Sequence, residues 1–466
     1  MFKNKNKKAK LMILFFLFVF FITAGLGCQG GSSDTATANK PITLKFWRVW
    51  DSEDDFGDII NAYKAIHPNI SIEYKRFRYE EYEKALLEAF AEDRGPDIFS
   101  ISNGWVGKYV SKISPMPASV SLPYPVTKSY LGGLKKETTV EMRSTKMITA
   151  AQLREKFIDV VYNDVVMLSD KTAEIYGLPM SVDTMVLFYN KDLLNSAGIP
   201  QPPSTWLEFQ DDVKKITKQD KQGNFVYSGG AIGTSSNVAR SFDLLSLLMM
   251  QNGTRMTEGS TVTFNKLPAG MSDRSVVPGV EALTFYTDFA YPAKEVYTWN
   301  DQMPNSLDAF ISGKVAFFFG YSYHLKDILN RAPKLSFGYS AMPQIEGNQA
   351  VNYANYWVET VAKKSSNTDW AWDFLQFAAA NDKQAKTYLD KTELPTALRS
   401  LINYQVEKEK LLPFVNQLLT AKNWYHGNDL GLAENIFKEM IDSVVQAQAS
   451  PAEALGRAIG RVQQTM

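Results

Sequence analysis

Three acids, Asp51, Glu53 and Asp55, alternate in "WDSEDD", a spacing with which a loop could wrap a calcium ion. Such a loop also needs glycine at its sixth position and glutamate at its twelfth, where this chain has Phe56 and Ala62. Acids opening a helix fit better, because their charge complements the positive end of the helix dipole. In "FFFGYSYHLKDI", Ser322 sits where a strand turns into a helix, as a nucleophilic serine would. His324, however, stands where that turn needs a small residue. The glycines of "SGGAIGTSSN" (228–237) match neither G-x-G-x-x-G nor the G-K-[ST] ending of a phosphate cradle. The three histidines, His67, His324 and His426, share no metal-ligand spacing. Carboxylates for sugar hydrolysis are plentiful, but sequence fixes no distance between them, so an exported glycoside hydrolase stays open. What remains is a set of aromatics at expected strand ends: Trp50, Trp105, Tyr321, Tyr323, Trp357 and Trp424. Open α/β sheets bind ligands beyond the carboxyl ends of their strands, although core packing is the commoner role for any single aromatic.

The chain that must position these residues has 466 of them, enough for two or three lobes. Its 50 Lys and Arg balance 50 Asp and Glu, which argues against a nucleic-acid partner, since phosphate binding needs a basic excess. Lys3, Lys5, Lys7, Lys8 and Lys10 precede "LMILFFLFVFFITAGLG", which is shorter than the ~20 residues a spanning helix needs. The layout predicts a signal peptide over residues 1–27. "AGLGCQGG" resembles a bacterial lipobox, with Gly25 in place of the usual Leu, and makes Cys28, the only cysteine, the expected lipidation site. Residues 28–40 read as a lipidated, small and polar tether. With no disulfide available, the fold must rest on its core.

From residue 41 short apolar runs alternate with amphipathic segments, the signature of βαβ units. "ITLKFWRVW" reads as a buried strand. Ile59, Ile60, Tyr63 and Ile66 keep helical spacing, Ile70, Ile72 and Tyr74 share a strand face, and Tyr79, Tyr82, Leu86 and Phe90 form a second helical stripe. "DIFSIS" completes β-α-β-α-β. Residues 114–149 are turn-rich and charged without a clear period, and read as surface loops or an insertion. Helices are expected near 152–168, over "SSNVARSFDLLSLLMMQNG", and in "AWDFLQFAAA" and "LAENIFKEMIDSVVQA"; "KVAFFFG" reads as a buried strand.

"ITLKFW…IINAYKAIHPNISIEY", "RGPDIFSISNGWVGKYV", "YGLPMSVDTMVLFYNKDLLNSAGIPQPPSTWLEF", "SLDAFISGKVAFFFGYSYH" and "AWDFLQFAAANDKQAKTYLDKTELPT" closely resemble the family 1 extracellular solute-binding proteins of bacterial ABC importers. The resemblance covers most of residues 42–450; residues 119–147 fit it poorly. It implies an α/β fold of the two-lobe, periplasmic-binding-protein type II kind, each lobe a mainly parallel sheet flanked by helices, with hinge crossings. One lobe would hold residues 41–185 and 350–412, the other 186–349 and 413–466. "SVDTMVLFYNKDLL" would be the first crossing. The cleft between the lobes would capture a carbohydrate-type solute, and closure would present one surface to the membrane permease. The implied contacts are Trp50, Asp51, Asn103, Trp105, Asp183, Tyr321, Tyr323, Asn355, Trp357, Trp424 and Tyr425. Sugars suit such residues because their C–H faces stack on rings while their hydroxyls pair with Asp and Asn. The protein is then a monomer held outside the cytoplasm on the cell membrane by its lipid, with no catalytic residue, metal or cofactor. Two other readings stay open, the glycoside hydrolase and a protein of the same fold that takes a ferric ion or serves a sensor.

Overall fold

The structure, a computed structural model, describes residues 40–130, 135–271 and 275–466. The expected signal peptide, Cys28 and most of the tether lie outside the described residues.

Strand β1 (Ile42–Arg48), helix α1 (Glu53–Ile66), β2 (Ile70–Arg76), α2 (Tyr79–Ala91) and β3 (Ile98–Ser102) follow the alternation read from sequence. β1 pairs in parallel with both β2 and β3. The acids after Trp50 do open a helix: Glu53, Asp54 and Asp55 form the first turn of α1, and the Asp55 carboxylate accepts from the Ser52 amide at 2.7 Å. α1 buries Phe56, Ile59 and Tyr63, and α2 buries Tyr82 and Leu86. Tyr79, at the head of the α2 stripe, stays exposed.

Residues 114–149 differ from the expected loops. β4 (Ser119–Tyr130) and β5 (Lys135–Lys146) pair antiparallel in one long hairpin. Val120 and Leu122 are buried at its base, and the Tyr124 ring lies 4.7 Å from that of His67. Pro123 and Pro125 alternate with these residues and hide their period; a two-stranded sheet tolerates proline because each strand keeps an unpaired edge. The single helix expected over 152–168 is also divided. Ala150–Lys156 and α3 (Asp159–Val165) are separate helices, and Val166–Ser169 pairs with Thr172–Ile175. Between the helices Phe157 bridges Leu398 and the Ile158 amide donates to Ala397 at 3.1 Å, so tertiary pairing replaces a helical turn.

β6 (Asp183–Thr184) leads into the second sheet, built from β7 (Val186–Asn190), β8 (Lys218–Gln219) after α4 (Trp206–Ile216), β9 (Phe225–Gly230), β10 (Val315–Gly320) and β11 (Phe337–Ser340), in the order β8-β9-β10-β7-β11. Helix α5 (Ser241–Gln251) follows β9, and α6 (Tyr323–Arg331) follows β10. Contrary to the expected mainly parallel sheet, only the β9–β10 pairing here is parallel; the other three are antiparallel. For two of these the cause is the entry of β7: its first residue, Val186, pairs with Gly320, the last of β10, so it runs against both β10 and β11.

The chain then forms β12 (Asn352–Asn355), β13 (Trp357–Val361), α7 (Thr368–Ala379), α8 (Asp382–Thr392), β14 (Ala421–Lys422), α9 (Leu430–Val445) and α10 (Pro451–Gln463). β13 adds antiparallel to β3, giving the first sheet the order β13-β3-β1-β2. β12 pairs with β6 and with β14, a small three-stranded sheet between two large apolar cores. Buried residues pass from one core to the other between Val182 and Met185, between Tyr353 and Ala354, and between Ala421 and Trp424. The last passage comes later than residue 412, since Val415, Leu418 and Ala421 still pack into the first core. Among the described residues no helix is long and apolar enough to cross a membrane.

Candidate functional site

Where the two cores meet, aromatic side chains from both form one exposed patch. Trp50, in the loop after β1, is stacked with Tyr79 of α2 (ring centroids 5.6 Å apart, planes 17° apart) and with Tyr323 of α6 (6.4 Å, 5°). Tyr323 follows the second sheet, so this stack spans the two cores. Trp357, at the start of β13, meets Trp50, Tyr79 and Trp105 edge-on at 6.2, 6.3 and 5.9 Å. Trp50, Tyr79 and Tyr323 are 56%, 46% and 50% exposed. Large aromatics gathered in the open mark an interaction site, because scattered singly they would need no explanation.

Beneath them lies a polar floor. Arg240, just before α5, adopts a left-handed backbone (φ 56°), which costs a residue with a Cβ about 1 kcal/mol or more. Its guanidinium donates to both oxygens of Asp243, at 2.8 and 2.7 Å, and pairs with Glu434 of α9 at 3.0 Å. Tyr321 donates to the same Asp243 at 2.6 Å, and Asn355 lies 3.3 Å from it.

The residues singled out by resemblance divide by location. Trp50, Trp105, Tyr323, Asn355 and Trp357 line the open region. Tyr321 is fully buried beneath it and acts on the site through Asp243. Asp51 is already engaged, pairing with Arg48 at 2.7 Å and accepting from Tyr388 at 2.8 Å. Asn103 is buried and donates to Asp164 of α3 at 2.9 Å; Tyr356 and His426 contact the same carboxyl group, at 2.7 and 2.9 Å. Asp164 thereby ties α3 to two of the three passages between the cores. Trp424 and Tyr425 are core residues rather than surface contacts: the Trp424 indole packs 5.8 Å from Phe242 and Phe437 and donates to Ser246, and the Tyr425 hydroxyl donates to the Thr465 carbonyl. They are buried because the apolar faces of α5 and α9 close over them. Sequence reasoning missed Tyr79, taken for a core residue of its stripe, and the Arg240–Glu434 pair, whose partners are far apart in the chain.

Ser322 is buried and engaged with β6. Its hydroxyl and amide donate to Asp183 of β6 at 2.7 and 2.9 Å, while His324 Nδ1 accepts from the Tyr321 amide at 3.0 Å. Burial pushes the Asp183 carboxyl up to about 7, against the bonds from Ser322 and Thr184 that pull it down. A folded-state value above the unfolded one means that the stabilisation is complete below the unfolded pKa, about 4, and is lost as pH rises through about 7. Asp183→Asn is therefore expected to gain thermal stability relative to the parent on going from pH 5 to pH 8. A difference in melting temperature independent of pH would refute this role.

Away from the aromatic patch, a cavity of about 380 Å³ lies on the second core, between Trp206, Leu207, Gln210, Phe285, Gln344 and Glu346. Its lining comes from one core alone. Among the described residues no group of three or more His, Cys, Asp or Glu could hold a metal ion.

The family model of the bacterial extracellular solute-binding proteins matches residues 50–385, a span that includes most of each core and the aromatic patch. The chain belongs to this family. A galactooligosaccharide-binding protein of Bacillus subtilis (strain 168) is 22% identical, over 80% of this chain and 76% of its own length. An sn-glycerol-3-phosphate-binding periplasmic protein of Escherichia coli O1:K1 / APEC is 23% identical, over 77% and 75%. Among solved structures, the cyclic alpha-maltosyl-1,6-maltose binding protein from Arthrobacter globiformis superposes with a TM-score of 0.69 at 18% identity, covering 91% of this chain and 99% of that one. The fold is thus the periplasmic-binding-protein-like fold expected from the resemblance. As in this family of solute-binding proteins generally, its place of work is outside the cytoplasm.

Proposed function

We propose that this solute-binding protein captures a mono- or oligosaccharide in the cleft between its two cores and delivers it to the membrane subunits of an ABC importer. The observation that carries the reading is the Trp50–Tyr323 stack, in which exposed rings from both cores face one space. A solute held by both cores stabilises the closed arrangement over the open one, so binding shifts a hinge equilibrium. The three-stranded β14-β12-β6 sheet is the element that flexes. The two cores act as lobes, and the chain works as a monomer tethered to the membrane through a lipid on Cys28. Its role is binding without turnover: the floor carboxylates Asp243 and Asp183 are engaged by Arg240, Tyr321 and Ser322 rather than free for acid–base work.

A chain beginning at Gln29 keeps every residue of both cores. Titrating its tryptophan fluorescence with galactotriose, maltotriose and mannotriose, and assaying each mixture for breakdown, tests the proposal. The expected result is a saturable change with at least one sugar left intact. Hydrolysis would make the protein an enzyme, and silence across the panel would remove the carbohydrate reading.

A further inference from the structure

Each core carries the same arrangement at its edge of the cleft. In the first, "RVWD" places Arg48 three residues before Asp51; Arg48 also pairs with Glu359 at 3.0 Å, and a tyrosine, Tyr388, donates to the aspartate. In the second, "RSFD" places Arg240 three residues before Asp243; Arg240 also pairs with Glu434, and Tyr321 donates to the aspartate. Each arginine thus faces two carboxylates. Lys108, which lies 5.8 Å over the Trp105 ring, is likewise paired, with Glu83 at 2.7 Å. Arg48, Arg240 and Lys108 are thus each paired with an acid before any solute arrives.

The two arrangements differ in access. The Arg48 and Glu359 side chains are 5% and 0% exposed, whereas those of Arg240 and Glu434 are 29% and 23% exposed. Arg240 also lies within electrostatic reach of Tyr323 on its own side and of Tyr79 on the other, and Glu434 within reach of Tyr79. Arg240 makes its protein bonds through Nε and Nη2. A planar guanidinium fixed on those two nitrogens presents its remaining N–H groups in a set direction, which suits a pair of sugar hydroxyls. Fixing it there requires the left-handed backbone at residue 240, and such strain persists only where surrounding structure enforces it. An acidic solute would meet Glu434 beside an arginine whose charge is already balanced, and like charges brought together in a partly desolvated cleft are strongly repelled.

Resting on the sugar-binding reading above, we infer that Arg240 contacts the solute and that Glu434 sets its charge selectivity, confining the cleft to solutes without an acid group. The test compares galactotriose, maltotriose and mannotriose with trigalacturonate, trimannuronate and sn-glycerol 3-phosphate, on the chain from Gln29 and on its Glu434→Gln and Arg240→Met variants. The acids are expected to bind at least about 30-fold more weakly than the best neutral sugar, and Glu434→Gln to narrow that gap by about tenfold or more. Arg240→Met is expected to weaken the neutral sugar by about tenfold or more, as loss of a charged hydrogen-bond donor does. Acids binding as tightly as neutral sugars, or a gap that Glu434→Gln leaves unchanged, would overturn the selectivity while leaving the sugar reading intact. An unchanged sugar affinity in a folded Arg240→Met protein would overturn the contact. If no sugar and no acid binds the parent protein, the sugar reading itself falls, and the inference with it.

Discussion

Glu359→Ala is expected to destabilise the protein by about 3–5 kcal/mol, the range for removing one partner of a buried ion pair. The Glu359 side chain is wholly buried on β13, where it pairs with Arg48 at 3.0 Å and accepts a hydrogen bond from the Ser100 hydroxyl. Burial raises its pKa while Arg48 and Ser100 lower it. Arg48 has little else to turn to. Its Nε and Nη1 have no hydrogen-bond partner, and its guanidinium carbon sits 4.6 Å from the Phe56 ring centroid. Without Glu359 the buried cation keeps only Asp51. Glu359→Gln, which retains shape and a hydrogen-bond acceptor, should cost less than the alanine variant. Denaturant unfolding of both variants checks this. A loss below about 1 kcal/mol for Glu359→Ala would mean that water reaches the pair and screens it.

Trp50→Ala is expected to act on binding and hardly on stability. Trp50 is more than half exposed, so truncation leaves no buried cavity, yet it removes the central ring of the stack between Tyr79 and Tyr323. Aromatic anchors at the centre of a binding surface cost about 2 kcal/mol or more when truncated, about 30-fold in affinity. Trp424→Ala should behave in the opposite way. That indole is 4% exposed and packs against Phe242, Phe264 and Phe437, so its removal should cost about 3–5 kcal/mol of stability. Calorimetric titration and melting curves of both variants separate the two effects. Unchanged sugar affinity in Trp50→Ala would remove the aromatic patch from the site.

How much of this was legible in the sequence depends on whether the controlling contacts are local. The β1-α1-β2-α2-β3 unit was readable because each element repeats its own apolar period, as Ile59 and Tyr63 do in α1. The β4–β5 hairpin was missed because Pro123 and Pro125 interrupt a period that Val120, Leu122 and Tyr124 otherwise keep. In the second sheet, strand direction is set by where β7 enters it, which no local pattern records. The site shows the same division. Trp50 and Tyr323 follow strands, and position alone marked them. Trp424 and Tyr425 also follow a short strand, β14, but helices distant in sequence cover them, so residue type could not tell them apart from exposed rings. Arg240 and Glu434 come together across almost two hundred residues of chain. Only the repeated "RVWD" and "RSFD" hinted that an arginine is held in the same way at each edge of the cleft.

The central claim is that one solute touches both cores at the aromatic patch. A crystal structure of the protein with the neutral trisaccharide it binds most tightly tests this directly. The expected result is a sugar ring against Trp50, with further contacts to Tyr323 and Arg240 from the second core. A sugar seated in the cavity beside Trp206, or touching one core alone, would contradict the claim.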